Sequence, residues 1–146
     1  MEPVSSPKLI DGTLFTDDRG MLQVMNSFNM IVGGIKRFYI VRNHQSGYVR
    51  AFHGHVRETK YLYVISGAVQ VKIIPLEYQN KKIDSFNVGI GSMVYIPCGY
   101  FHGWKGLTED TILLVLSTGT LEESQQDDIR LPWDTFGTDI WKEQFR

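Results

Sequence analysis

A chain of 146 residues, 42% of them hydrophobic and 21% charged, supports one core and is too short for two, so a single domain over 1–146 is expected. The formal net charge of −1 provides no basic field for nucleic acid or an anionic membrane surface, so an anionic ligand must be held by a few placed cations. The single cysteine, Cys98, excludes an intramolecular disulfide framework and fits a reducing, cytoplasmic compartment, where a buried structural role is expected of it.

From the N-terminus, Met1 to Ile10 shows neither a basic nor an apolar leader region, and no apolar run approaches the ~18 residues of a membrane span. Short runs rich in Val, Ile, Leu, Tyr and Phe follow. The strongest are Ile35–Arg42, Tyr61–Ser66, Ala68–Ile74, Met93–Pro97 and Thr111–Thr118; Leu22–Asn26, Val49–Phe52, Ile83–Val88 and Phe101–Lys105 are weaker. Glycines between them, among them Gly12, Gly33-Gly34, Ser46-Gly47, Ser66-Gly67, Gly89–Gly91 and Gly99, mark turns. No 3.6-residue apolar stripe persists between Leu22 and Thr118, so the pattern predicts an all-β sandwich or barrel. The acidic stretch Glu122–Asp128 reads as a solvated loop. Beyond it, Leu131-Pro132-Trp133 and Ile140-Trp141 are expected to pack a tail back onto the barrel.

Three of the four histidines fall in two strand-proximal clusters, Gly47 to His55 and Gly91 to His102. Residues i and i+2 of a strand share a face, so His53 and His55 can enter one cavity, with His102 opposite them in a closed barrel. The spacings G-x5-H-x-H, with a later Gly67, and G-x5-P-x-G-x2-H resemble the paired motifs of the cupin superfamily. That resemblance implies a jelly-roll β-barrel. Metal-binding cupins place a glutamate where this chain has Lys60, and an ammonium repels a divalent cation, so no metal and no cofactor is expected. Glu58, two residues away on the same face, is the carboxylate that could replace it.

Lysine at that position resembles the dTDP-4-dehydrorhamnose 3,5-epimerase family, and further segments keep the resemblance in order from Phe15 to Trp141. Phe15 to Gly20 is similar to that family's F-x-D-x-R-G, and Asn43-His44 precedes Arg50-Ala51-Phe52-His53 as N-H precedes R-G-L-H there. Ile96 to Gly103 is similar to I-P-x-G-x-x-H-G, and Asp134, seven residues before Trp141, to the ending D-x-x-x-G-I-x-W. The resemblance implies a nucleotide-diphosphate sugar as substrate, a homodimer, and proton abstraction beside the ketone of a 4-keto-6-deoxy sugar. It further implies His53 as general base, Asp134 as its carboxylate partner, Lys60 facing the carbonyl and enolate, and Arg19 and Arg50 on the diphosphate. Asn43, His55, Tyr100 and His102 would line the same pocket.

That chemistry is consistent with the residue types. A fixed cation stabilises the charge that develops on a ketone oxygen, an imidazole exchanges protons near neutral pH, and a guanidinium fork suits phosphate. The chain departs from the family in one segment: Ser117 to Glu122, where the epimerases carry a tyrosine acid, contains none, leaving Tyr39, Tyr63 or Tyr100 as substitutes. The R-x-F-H-x-H run, Arg50 to His55, is also similar to sugar 3,4-ketoisomerases, which move protons between C3 and C4 on one face. Epimerisation at C3, C5 or both is the first reading and 3,4-ketoisomerisation the second. A metal-dependent cupin using His53, His55 and His102, or a non-catalytic sugar-nucleotide binding cupin, stand as alternatives.

Overall fold

The computed structural model describes residues 6–26 and 34–143. Gly33 and most of the segment joining the Leu22–Asn26 run to Ile35 lie outside them.

Three N-terminal strands, β1 (Lys8–Ile10), β2 (Thr13–Asp17) and β3 (Gly20–Val24), precede eight strands: β4 (Arg37–Asn43), β5 (Val49–His55), β6 (Lys60–Ser66), β7 (Ala68–Pro75), β8 (Asp84–Gly89), β9 (Met93–Ile96), β10 (Tyr100–Gly106) and β11 (Thr111–Ser117). A short helix α1 (Leu121–Gln126), strand β12 (Ile129–Arg130) and a 3-10 turn (Asp139–Trp141) complete the chain. One antiparallel sheet runs β1-β9-β6-β11-β4 and the other β12-β5-β10-β7-β8; β2 and β3 form a separate hairpin. Strands β4 to β11 divide between the two sheets as a jelly roll does, in agreement with the expected all-β class.

The alternation of β11, buried at every second residue, shows why these runs become strands: one face enters the core and the other turns away. Leu62, Val64, Val69, Val71, Ile73, Val94, Leu113 and Val115 fill the space between the sheets. At the β6–β7 turn Gly67 takes φ +81°, and a Cβ there would lie 2.2 Å from the Thr108 hydroxyl, so backbone conformation and close packing both require glycine. Behind β5 and β10, Phe52, Ile74, Phe101 and Trp141 form a second cluster. The tail thus packs back as expected through Trp141; Trp133 itself is 45% exposed, and its carbonyl accepts a hydrogen bond from the Trp141 indole at 3.0 Å.

Two expectations are corrected. Cys98 is exposed rather than buried, because it falls in the turn between β9 and β10. The acidic stretch after residue 120 contains a helix: the Thr120 hydroxyl accepts from the Glu123 N–H while the Glu123 carboxylate accepts from the Thr120 N–H, a capping box that supplies two of the partners a helix start lacks. Among the described residues no helix is long and apolar enough to cross a membrane.

Candidate active site

Between the two sheets lie two spaces that share a wall, an outer cavity of about 530 Å³ and an inner one of about 180 Å³ that reaches the core residues Leu62, Trp104 and Val115. Tyr39, His53 and Lys60 line both. Tyr39 on β4 and Lys60 on β6 belong to one sheet, His53 on β5 to the other, so the two walls carry different chemistry.

The histidine wall is set by pairing of β5 with β10. His53 stands directly opposite His102, with ring centroids 6.2 Å apart; the His55 and His102 rings lie 6.4 Å apart. The register slips by one residue between His102 and Trp104. In a regular strand Arg50 and His53, three apart, would face opposite sides; the extra residue of this bulge brings both onto the inner cavity. Gly103 is required beside it, since a Cβ there would lie 2.3 Å from that of Ala51.

Burial lowers the pKa of all three imidazoles. For His53 the neighbouring Asp128 opposes that effect in part; for His55 the charge of Lys60 adds to it; His102, buried and near Lys60, His53 and His55, is held well below its ordinary value. All three are therefore neutral near pH 7, the form that accepts a proton.

The carboxylate beside His53 is Asp128, with Oδ1 at 3.5 Å from Nδ1. Asp134, expected in that role, is exposed in the turn after Leu131. The physical reason is β12: Ile129 and Arg130 pair with Gly54 and His53, which carries the preceding Asp128 to the imidazole. Burial raises the Asp128 carboxyl, but hydrogen bonding to Arg130, that residue's charge and His53 outweigh this and hold it ionised. The contact is longer than a normal hydrogen bond, as such contacts often are before substrate tightens them.

Lys60 is buried, donates to the Tyr39 phenol oxygen at 3.3 Å and stands 4.0 Å from Glu58. Asn43 does not reach either cavity: it is buried and accepts from Arg50 Nε at 2.7 Å, so it braces that guanidinium. Arg19 is not at this site either. It sits at the tip of the β2–β3 hairpin, 86% exposed and paired with Asp17. Tyr100 packs against the barrel core and is not among the residues lining the two cavities. Tyr63 points to the outer face and donates to Gln23 at 2.9 Å. Of the three candidate tyrosines only Tyr39 enters the cavity.

Several cavity residues went unread in the sequence. Arg37 on β4, Leu121, Ser124 and Gln125 on α1, and Asp128 and Arg130 beyond it all line the outer space. The capping box T-x-x-E at Thr120 to Glu123 was a legible signal for the helix; nothing local signals that Asp128 turns inward. Among the described residues no group of three or more His, Cys, Asp or Glu is arranged to hold a metal ion.

The family described as FdtA, WxcM-like C-terminal, has a model that matches residues 5–131. A spore coat polysaccharide biosynthesis protein, SpsL, of Bacillus subtilis (strain 168) is 29% identical over 108 residues, covering 68% of this chain and 71% of that protein. The fold is shared with a dTDP-4-dehydrorhamnose 3,5-epimerase from Bacillus anthracis solved with TDP and PPi bound, at a TM-score of 0.76 and 20% identity, over 92% of this chain and 83% of that one. It is also shared with QdtA, a sugar 3,4-ketoisomerase from Thermoanaerobacterium thermosaccharolyticum in complex with TDP, at a TM-score of 0.70 and 20% identity, over 94% and 93% of the two chains.

Proposed function

This chain belongs to the FdtA, WxcM-like C-terminal family, and from that premise we propose that it is an isomerase of a nucleotide-linked 4-keto-6-deoxy sugar, carried on dTDP. The observation that carries the reading is the two-walled cavity: neutral His53 and His55 on one side, the Lys60 ammonium and Tyr39 phenol on the other. Its fold relatives include enzymes of both kinds that act on such sugars.

His53 removes the proton from C3, beside the C4 ketone. Lys60, with Tyr39 on the same wall, stabilises the negative charge that moves onto the C4 oxygen. Arg37 and Arg130 at the outer cavity hold the diphosphate, with Arg50 reaching the inner end. The side-by-side histidines favour a one-face transfer: the base takes the carbon-bound proton from C3 and exchanges it with solvent, a proton is delivered to C4 on the same face, and the hydroxyl proton leaves O3 as O4 gains one, converting the 4-ketone to a 3-ketone with no net gain or loss. A second reading, epimerisation at C3, rests on Tyr39, which faces His53 across the cavity and is placed to return a proton from the opposite side.

Incubation with dTDP-4-keto-6-deoxyglucose in D2O, followed by NMR, tests both. The first reading expects a 3-keto product with deuterium at C4. Deuterium at C3 with inversion and an unmoved ketone selects the second, and an unchanged substrate removes both.

We also propose a cytoplasmic homodimer. The edge strand β4 exposes Phe38 (66%) and Ile40 (61%) on its outer face, and the β2–β3 hairpin exposes Phe15 and Leu22. A second copy covering this surface removes both the apolar patch and the unpaired edge. Arg19, outside its own chain's cavity, is assigned to the partner's side in that dimer. Sedimentation equilibrium with only monomer at micromolar concentration would refute it.

A further inference from the structure

Glu58 is the most enclosed carboxylate near the cavity, its side chain only 2% exposed, and the reaction above gives it no task. It follows β5 in a loop anchored by Asp127, whose carboxylate accepts from the N–H groups of Val56 at 2.9 Å, Arg57 at 2.8 Å and Glu58 at 3.2 Å. Backbone bonding of that kind fixes where the Glu58 side chain starts.

The two oxygens of Glu58 face different surroundings. Oε1 accepts from Arg37 Nη2 at 3.0 Å and from the Ser117 hydroxyl, with Lys60 Nζ at 4.0 Å. Oε2 has no hydrogen bond, and neither has His55 Nδ1, yet the two atoms are 3.1 Å apart. Burial raises the Glu58 carboxyl, but Lys60, the nearby Ser117 and Ser124 hydroxyls and His55 together outweigh it, leaving the group ionised. An anionic oxygen this close to a nitrogen lone pair is repelled; close to an N–H it is attracted. The two atoms are close but not aligned for a hydrogen bond, and the electrostatics of the contact favour the neutral tautomer with the proton on Nδ1.

We propose that Glu58 is a positioning residue that fixes the tautomer of His55 with the proton on Nδ1, leaving Nε2 as the lone-pair nitrogen. His53 and His55 then form two carboxylate-oriented imidazoles in one cavity, His53 through Asp128 and His55 through Glu58. Its consequence for turnover rests on the isomerase reading; the tautomer itself does not. The other charged and titratable groups facing His55 are His53 on its own strand, His102 on β10, Lys60 on β6 and Asp127 and Asp128 between α1 and β12. Of these only Asp127, at 3.9 Å, is near Nδ1, and its oxygens are taken by three backbone N–H groups.

Glu58→Gln reverses the arrangement. With Arg37, Ser117 and Lys60 on one side, the amide oxygen turns toward those donors and the NH2 toward His55, which must then accept at Nδ1 and carry its proton on Nε2. An amide in place of an orienting carboxylate disturbs the tautomer in this way in the serine-protease triad.

The test uses the full chain with ¹⁵N-labelled histidine, reading the His55 tautomer by long-range ¹H–¹⁵N NMR without ligand, and exchange kinetics in D2O with dTDP-4-keto-6-deoxyglucose. The wild type is expected to show His55 protonated on Nδ1, Glu58→Gln to show it on Nε2, and Glu58→Asp to retain the wild-type signal. Glu58→Gln should lower kcat by about 10²-fold with KM changed by less than about threefold, and Glu58→Asp should recover at least a tenth of wild-type kcat. A wild-type His55 protonated on Nε2 overturns the proposal even if Glu58→Gln does not fold, as does a tautomer unmoved by Glu58→Gln. A wild type that exchanges no deuterium overturns the isomerase reading instead, and leaves the tautomer measurement to decide the role of Glu58.

Discussion

Two imidazole–carboxylate pairs lie two residues apart on β5 and differ in almost every respect. His53 is 38% exposed and meets Asp128 at 3.5 Å, a carboxylate 75 positions later in the chain. His55 is 4% exposed and meets Glu58 at 3.1 Å, only three residues away. The open pair touches both cavities and depends on docking of the α1–β12 segment; the closed pair is built by one strand end and its loop. A group that trades protons with a ligand must be reachable, whereas a group that keeps an orientation is best enclosed. On the proposed isomerase reading, the contrast gives substrate contact first to His53 and makes the α1–β12 segment, which lines the same cavity, part of the catalytic apparatus along with the barrel.

The largest expected effect comes from removing the open imidazole. His53→Ala should slow proton exchange by ~10²–10⁴-fold, measured as deuterium incorporation by NMR, while calorimetric TDP affinity stays within about threefold. Unchanged incorporation would transfer the base role to His55. The next effect separates the two aspartates. Asp128→Asn should reduce kcat by about 10²-fold, because it removes the orienting carboxylate, and Asp134→Asn should stay within about twofold of wild type. Asp128 raises the His53 pKa against the effect of burial, so its loss should also move the acidic limb of kcat/KM to lower pH. The opposite ranking of the two variants would restore Asp134 to the site.

A smaller effect concerns stability. His102 has its pKa depressed in the folded state, so below the ordinary imidazole value of about 6.5 the unfolded chain binds a proton that the folded chain does not. Its contribution is present above that pH and lost as pH falls through it, at up to ~1.4 kcal/mol per pH unit. Chemical denaturation between pH 7.5 and 5.5 should show this slope, and His102→Gln should reduce it. Last, Thr120→Ala removes one half of the α1 capping box and should cost about 1 kcal/mol, read as a lower denaturation midpoint with a modest rise in KM.

The strand ladder and the histidine wall were legible because their cause is local. Alternating apolar residues between glycine turns dictate β11 and its neighbours, and the i, i+2 rule places His53 and His55 on one face whatever surrounds them. Motif spacing likewise identified Lys60 and His102. The sequence by itself thus determined the all-β class, the two histidine clusters and the cation opposite them. Tertiary structure decided the rest: a one-residue slip in β5 that no residue type announces brought Arg50 to the His53 side, and pairing of Arg130 with His53 chose Asp128 over Asp134. It also left Arg19 on a hairpin away from its own cavity. Each of these outcomes depends on contacts between segments distant in the chain, where the free energy of pairing and burial, rather than local periodicity, selects the partner.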